Sequence, residues 1–114
     1  RLNAVNATRS KKEKQSMLWS EEAVGIDPTN AAAWNNLGVS HLRNGNSAGA
    51  LDAMQHAVSL KKHDSRIWRN FGLSLLETKN LESARSAFRR ATETAKTPRD
   101  SALAKELLAR TQNN

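Results

Sequence analysis

The sequence predicts an all-α superhelix built from stacked antiparallel helix pairs, and three observations predict it. Sliding the chain against itself gives one internal period, with Trp34/Trp68, Asn36/Asn70, Gly38/Gly72, Ser40/Ser74, Ala50/Ala84 and Ala57/Ala91 each 34 residues apart. Inside each period the apolar and small positions recur at helical spacing, Trp34, Leu37, Gly38 and His41 and then Ala50, Met54, Ala57 and Leu60. Between these two runs lie residues that break a helix, Asn44-Gly45-Asn46 in one period and Thr78-Lys79-Asn80 in the next.

The elements follow in chain order. Pro28 closes an earlier element, so residues 11–26 read as the second helix of a partial repeat. Its apolar face would carry Ala23, Val24 and Ile26, Ser16 would be its small crossing residue, and residues 1–10 would be the remnant of that repeat's first helix. Asn30, Asp64 and Asn80 are placed to cap helix starts, and Thr97 precedes Pro98 at a first helical position. Helices are expected at 31–44, 47–61, 65–78, 81–95 and 98–110. The last carries Leu103 and Leu107 on one face but has Lys105 and Glu106 where a further repeat needs apolar and small residues. It reads as a solvating cap. One domain results: a partial repeat over 1–30, repeats over 31–64 and 65–97, and a cap helix and tail over 98–114.

Trp34-x-x-Leu37-Gly38 with Ala50 and Ala57, and Trp68-x-x-Phe71-Gly72 with Ala84 and Ala91, resemble the tetratricopeptide repeat over residues 31–96. Gly38 and Ala50 supply the lack of bulk needed where two helices of a unit cross, and Ala57 supplies it where the next unit docks. Lys62 stands where the pattern usually closes on proline, a departure that bears on the turn there. The resemblance implies a concave groove that holds a partner's extended peptide or helix, lined by the face opposite Trp34 and Leu37. That face carries Ala32, Asn35, Asn36, Val39 and Arg43 in the first repeat, and Arg66, Arg69, Asn70, Leu73 and Glu77 in the second. Asn36 and Asn70, at one repeat position, form a carboxamide ladder able to give and accept a hydrogen bond from a peptide unit. Chaperone-tail receptors of the family clamp a terminal carboxylate. Arg1, Asn36 and Arg66 match three clamp positions in kind while Val5 and Asn70 do not, so the clamp is incomplete.

Composition narrows the rest. Eighteen Lys and Arg against eleven Asp and Glu give a net charge of +7, which favours an acidic partner. Arg66 and Arg69 would meet an acidic peptide in the groove. Arg85, Arg89 and Arg90, with Arg9, Lys11, Lys12 and Lys14, could instead present an outer basic surface to RNA, the alternative reading, although no aromatic side chain is interleaved there to stack bases. With no cysteine, no phosphate-binding glycine loop, no His-Glu-x-x-His and three histidines at different helical phases, the sequence predicts no enzyme, metal or cofactor. No apolar run reaches membrane-spanning length and no signal peptide is evident, which suits an intracellular protein. The chain opens on Arg1, which points to a piece of something longer. His41 is expected in the core with Trp34 and Trp68, and Trp19 is the tryptophan expected at the surface.

Overall fold

A computed structural model describes residues 4–112, with side chains described from residue 11, and its helices start where the capping residues stand. Asn30 Oδ1 accepts from the Ala33 amide and opens α2 (Ala31–Arg43). Asn46 Oδ1 does the same from Gly49 and opens α3 (Ser47–Leu60). Asp64 Oδ1 takes the amides of Arg66 and Ile67 and opens α4 (Ser65–Glu77), and Thr97 Oγ1 takes that of Asp100 at the start of α6 (Pro98–Gln112). These side chains satisfy amides that have no partner inside the helix. Asn80 sits at the N-cap of α5 (Leu81–Thr94) but its side chain makes no capping bond, while Asn46, read from sequence only as a breaker, does. The five expected helices appear with ends shifted by no more than two residues.

The N-terminal element departs from expectation. α1 runs unbroken from Ala4 to Ile26, so residues 4–10 prolong this helix and do not form a separate first helix of a repeat. No Gly or Pro interrupts residues 4–24, and nothing in that stretch signals a turn. Ser16, expected as the small residue where the two helices of its own unit cross, has no such partner helix here and instead meets α2 of the following unit, its Oγ 3.1 Å from Ser40 Oγ. Ile26, expected on the apolar face, is 76% exposed.

Both helix-to-helix turns inside the repeats close in the same way. Gly45 and Lys79, one period apart, take the left-handed conformation at φ 77° and 62°. The following amides reach back to the last turn, Asn46 to the His41 carbonyl and Asn80 to that of Leu75, each at 2.8 Å. This is the helix-ending motif that glycine favours, and a lysine holds it in the second repeat. The turns between repeats also match. Trp34 Nε1 donates to the Pro28 carbonyl and Trp68 Nε1 to that of Lys62, both at 2.7 Å, so Lys62 keeps the geometry that proline has one period earlier. Beside the first, the Thr29 hydroxyl and then its amide donate to Asp27 and hold that carboxyl below its ordinary range.

Packing follows the small residues. Ala50, Ala57, Ala84 and Ala91 are all fully buried. A Cβ on Gly38 would sit 2.5 Å from Met54 Cε, and one on Gly72 would sit 2.4 Å from a Phe88 ring carbon, so the glycines admit these two buried side chains. Ala57 meets Ile67 of the next unit, as its size predicts. The tryptophans lie at the edge of this core, half-buried, with Trp34 stacked on His56 at 4.1 Å and Trp68 under Arg90 at 5.3 Å. His41 is likewise at the edge, where its Nδ1 takes the Asn46 amide group at 3.2 Å.

The stack curves because its two rows differ in spacing. The backbones of α2, α4 and α6 approach one another in succession, whereas among the described residues no such backbone approach joins α1 to α3 or α3 to α5. The row α2–α4–α6 is therefore the inner, concave side, and α6 closes it with Ala104 and Thr111 buried and Lys105 and Glu106 exposed.

Candidate functional site

The faces of α2 and α4 turned away from Trp34 and Trp68 lie along the concave row, and the structure sorts the predicted residues there into two groups. Asn35 is only 8% exposed, and its Oδ1 accepts from Asn70 Nδ2 at 2.9 Å. Arg69 donates to Asp100 of α6 at 3.2 Å with its side chain 15% exposed, and its Nε is buried with no partner. These residues tie each inner helix to the next. The expected carboxamide ladder of Asn36 and Asn70 is thus not two equivalent free groups, and the expected Arg66 and Arg69 patch is reduced to Arg66. Leu73 is half-buried against the Leu75 and Phe88 cluster, so it serves packing as well as the surface.

The second group is open. Asn36 and Arg43 are exposed, Val39 is half-buried, and Arg66 is exposed in the first turn of α4. Asn36, Val39 and Arg43 line one side of a groove of about 430 Å³. Trp19, Ser20 and Ala23 of α1 form the other side, with Trp19 70% exposed as expected. Sequence reasoning did not assign α1 to the site. The available signal was the 34-residue shift, which places Trp19 where the later units have Ala53 and Ala87.

Charge on this surface is set by what is already paired. Among the described residues the ion pairs are Arg69 with Asp100, Arg90 with Glu93 and Arg110 with Glu106. Arg43, in the last turn of α2, and Arg66, in the first turn of α4, are in none of them, so both are exposed cations without an ion-pair partner among the described residues. On the outer row Arg85 Nε donates to the Thr111 carbonyl and Arg90 is held by Trp68 and Glu93. Arg89 is exposed there, as are Lys11, Lys12 and Lys14 of α1, while the side chains of Arg1, Val5 and Arg9 lie outside the described residues. No group of three or more His, Cys, Asp or Glu comes together among the described residues, and none of their helices is long and apolar enough to cross a membrane.

Two antiparallel helix pairs in one register, with an open inner row, define an α-solenoid of the kind that presents a concave surface. The chain belongs to the tetratricopeptide repeat family, whose patterns match residues 21–52 and 65–98. Solved structures of similar fold include the Yersinia enterocolitica type III secretion chaperone SycD in complex with a peptide of the translocator YopD. It has 18% identity and a TM-score of 0.81, over 96% of this chain and 87% of that one. The second repeat domain of human RPAP3, in complex with the HSP70 peptide SGPTIEEVD, has 15% identity and a TM-score of 0.81, covering 94% and 87%. The Sgt2 domain of Aspergillus fumigatus has 18% identity and a TM-score of 0.81, covering 94% and 70%. A search of curated protein sequences finds no match.

Proposed function

We propose that this chain is a non-catalytic interaction scaffold that holds an acidic peptide segment of a partner protein on its concave row. The carrying observation is the pair of exposed cations, Arg43 on α2 and Arg66 on α4, that have no ion-pair partner among the described residues while Arg69 is consumed by Asp100. Two cations on successive inner helices match carboxylates spaced along one segment. Asn36 adds a free donor and acceptor between them, and Val39 and Leu73 add apolar surface. The two peptide complexes among the similar structures support the reading, since one of those peptides ends in EEVD.

The test is fluorescence titration of a labelled glutamate-rich peptide against wild type, the double reversal Arg43→Glu with Arg66→Glu, and the outer reversal Arg89→Glu. The concave double reversal weakens binding tenfold or more, and the outer one leaves it within about twofold, because exposed charges act over a Debye length of about 8 to 10 Å. Equal loss in both variants would move the site off the concave row.

A further inference from the structure

The edge of the stack that carries the turns between repeats holds a groove of about 470 Å³, between the turn from α3 to α4 and the segment that joins α5 to α6. Lys61, Lys62 and His63 line it from the first side and Lys96 from the second, all exposed. Its two carboxylates are already engaged: Asp64 Oδ1 takes the amides of Arg66 and Ile67, and Asp100 pairs with Arg69. The three lysines are in none of the ion pairs among the described residues. Such a gathering of ammonium groups fits a dianion of the phosphate-ester kind.

The second wall of this groove carries a hydroxyl that can bear one. Thr97 is exposed and outside any helix, between Lys96 and Pro98. It is the sole Ser or Thr of the chain that precedes a proline. Pro98 steers the Thr97 backbone away from helical values, and Ala95, two residues earlier, is extended at φ −64° and ψ 129°. The hydroxyls of Thr92 and Thr94 on α5 donate to carbonyls one turn back. That of Thr97 makes one bond, as acceptor from the Asp100 amide, which leaves its hydrogen free. We propose that Thr97 is a phosphorylation site for a proline-directed protein kinase, and that the lysine-lined groove receives the phosphate. Thr97 Oγ attacks the γ-phosphorus of a nucleoside triphosphate held by the kinase. The bond to the bridging oxygen breaks, nucleoside diphosphate leaves, and the hydroxyl proton passes to the kinase's own base. The phosphate adds a charge of about −1.5 to −2 to the connection between α5 and α6. Lys96 and, from across the groove, Lys61 and Lys62 pair with it, so the modification fastens the cap helix α6 to the turn before α4. The site lies on the turn edge and uses none of the residues assigned to peptide binding.

The test is incubation of the folded protein with ATP and a proline-directed kinase that has no further sequence requirement, read by intact mass and by fragmentation to place the phosphate. Wild type takes up one phosphate, at Thr97. Pro98→Ala slows uptake by about tenfold or more. Thr97→Asp, which keeps a capping side chain but has no hydroxyl, takes up none. Phosphorus NMR against pH then reads the surroundings of the phosphate. Its titration midpoint lies about half a unit or more below that of the phosphorylated peptide 94–101, because neighbouring ammonium groups favour the dianion. Lys61→Ala combined with Lys62→Ala returns the midpoint to the peptide value at unchanged helix content. Uptake at another residue, or at Thr97 only after unfolding, overturns the site. A midpoint equal to the peptide's in the wild-type protein overturns the groove as the receiver of the phosphate.

Discussion

Asn35 and Asn36 are neighbours in sequence on one helical face, yet one is internal and the other open. Helical phase separates the concave face from the core but not its edge from its centre, and the edge is where the next inner helix packs. That is why the sequence pointed to Asn36 and Asn70 as a ladder, while the structure pairs Asn70 with Asn35 across the repeat boundary. Losing one partner of a part-buried pair costs more than losing a solvated group. Asn35→Ala, which leaves the Asn70 amide group unsatisfied, is expected to destabilise by about 1 to 3 kcal/mol. Asn36→Ala is expected to lie within about 0.5 kcal/mol of wild type. Urea denaturation of the two single variants separates them, and equal midpoints would contradict the assignment. Arg69 was misread for the same reason, since its partner Asp100 lies in a helix that no period argument aligned with it.

At the scale of elements, what was legible is what size and turn chemistry specify. The 34-residue period, the four buried alanines and the breaker triplets located five helices almost to the residue. The pattern failed at α1, where a polar stretch without breakers prolonged the helix, and at Ile26, which no later element covers. The glycines at the crossings offer a finer test, because their partners differ in stiffness. Gly38 faces the end of a flexible methionine and Gly72 a fully buried phenylalanine ring. Alanine gains about 1 kcal/mol of helix propensity over glycine. That gain offsets the small shift Met54 must make, so Gly38→Ala is expected to be near neutral. Gly72→Ala must displace a ring in a packed core and is expected to destabilise by about 1 to 3 kcal/mol. Thermal melts followed by circular dichroism measure both, and the reverse order would show that the crossings are packed differently.

For the whole molecule, the question is what a net charge of +7 serves. Total charge was legible from composition, but its distribution was not, because pairing decides which cations are free. Arg69, Arg85 and Arg90 are engaged within the fold, and Arg43 and Arg66, on the inner-row helices α2 and α4, are exposed with no ion-pair partner among the described residues. If the protein held RNA on its outer row, the unpaired Arg89, Lys11, Lys12 and Lys14 would carry the affinity, and log affinity would fall steeply with log salt concentration as counterions are released. Gripping an acidic segment by two arginines, a carboxamide and apolar surface depends on salt much less. The most direct test is a paired titration of the glutamate-rich peptide and a single-stranded RNA against wild type, at low and at physiological salt. The account predicts that the peptide binds at both salt concentrations and more tightly than the RNA at physiological salt. Tight RNA binding that collapses between the two salt concentrations, with no measurable peptide binding, would contradict it.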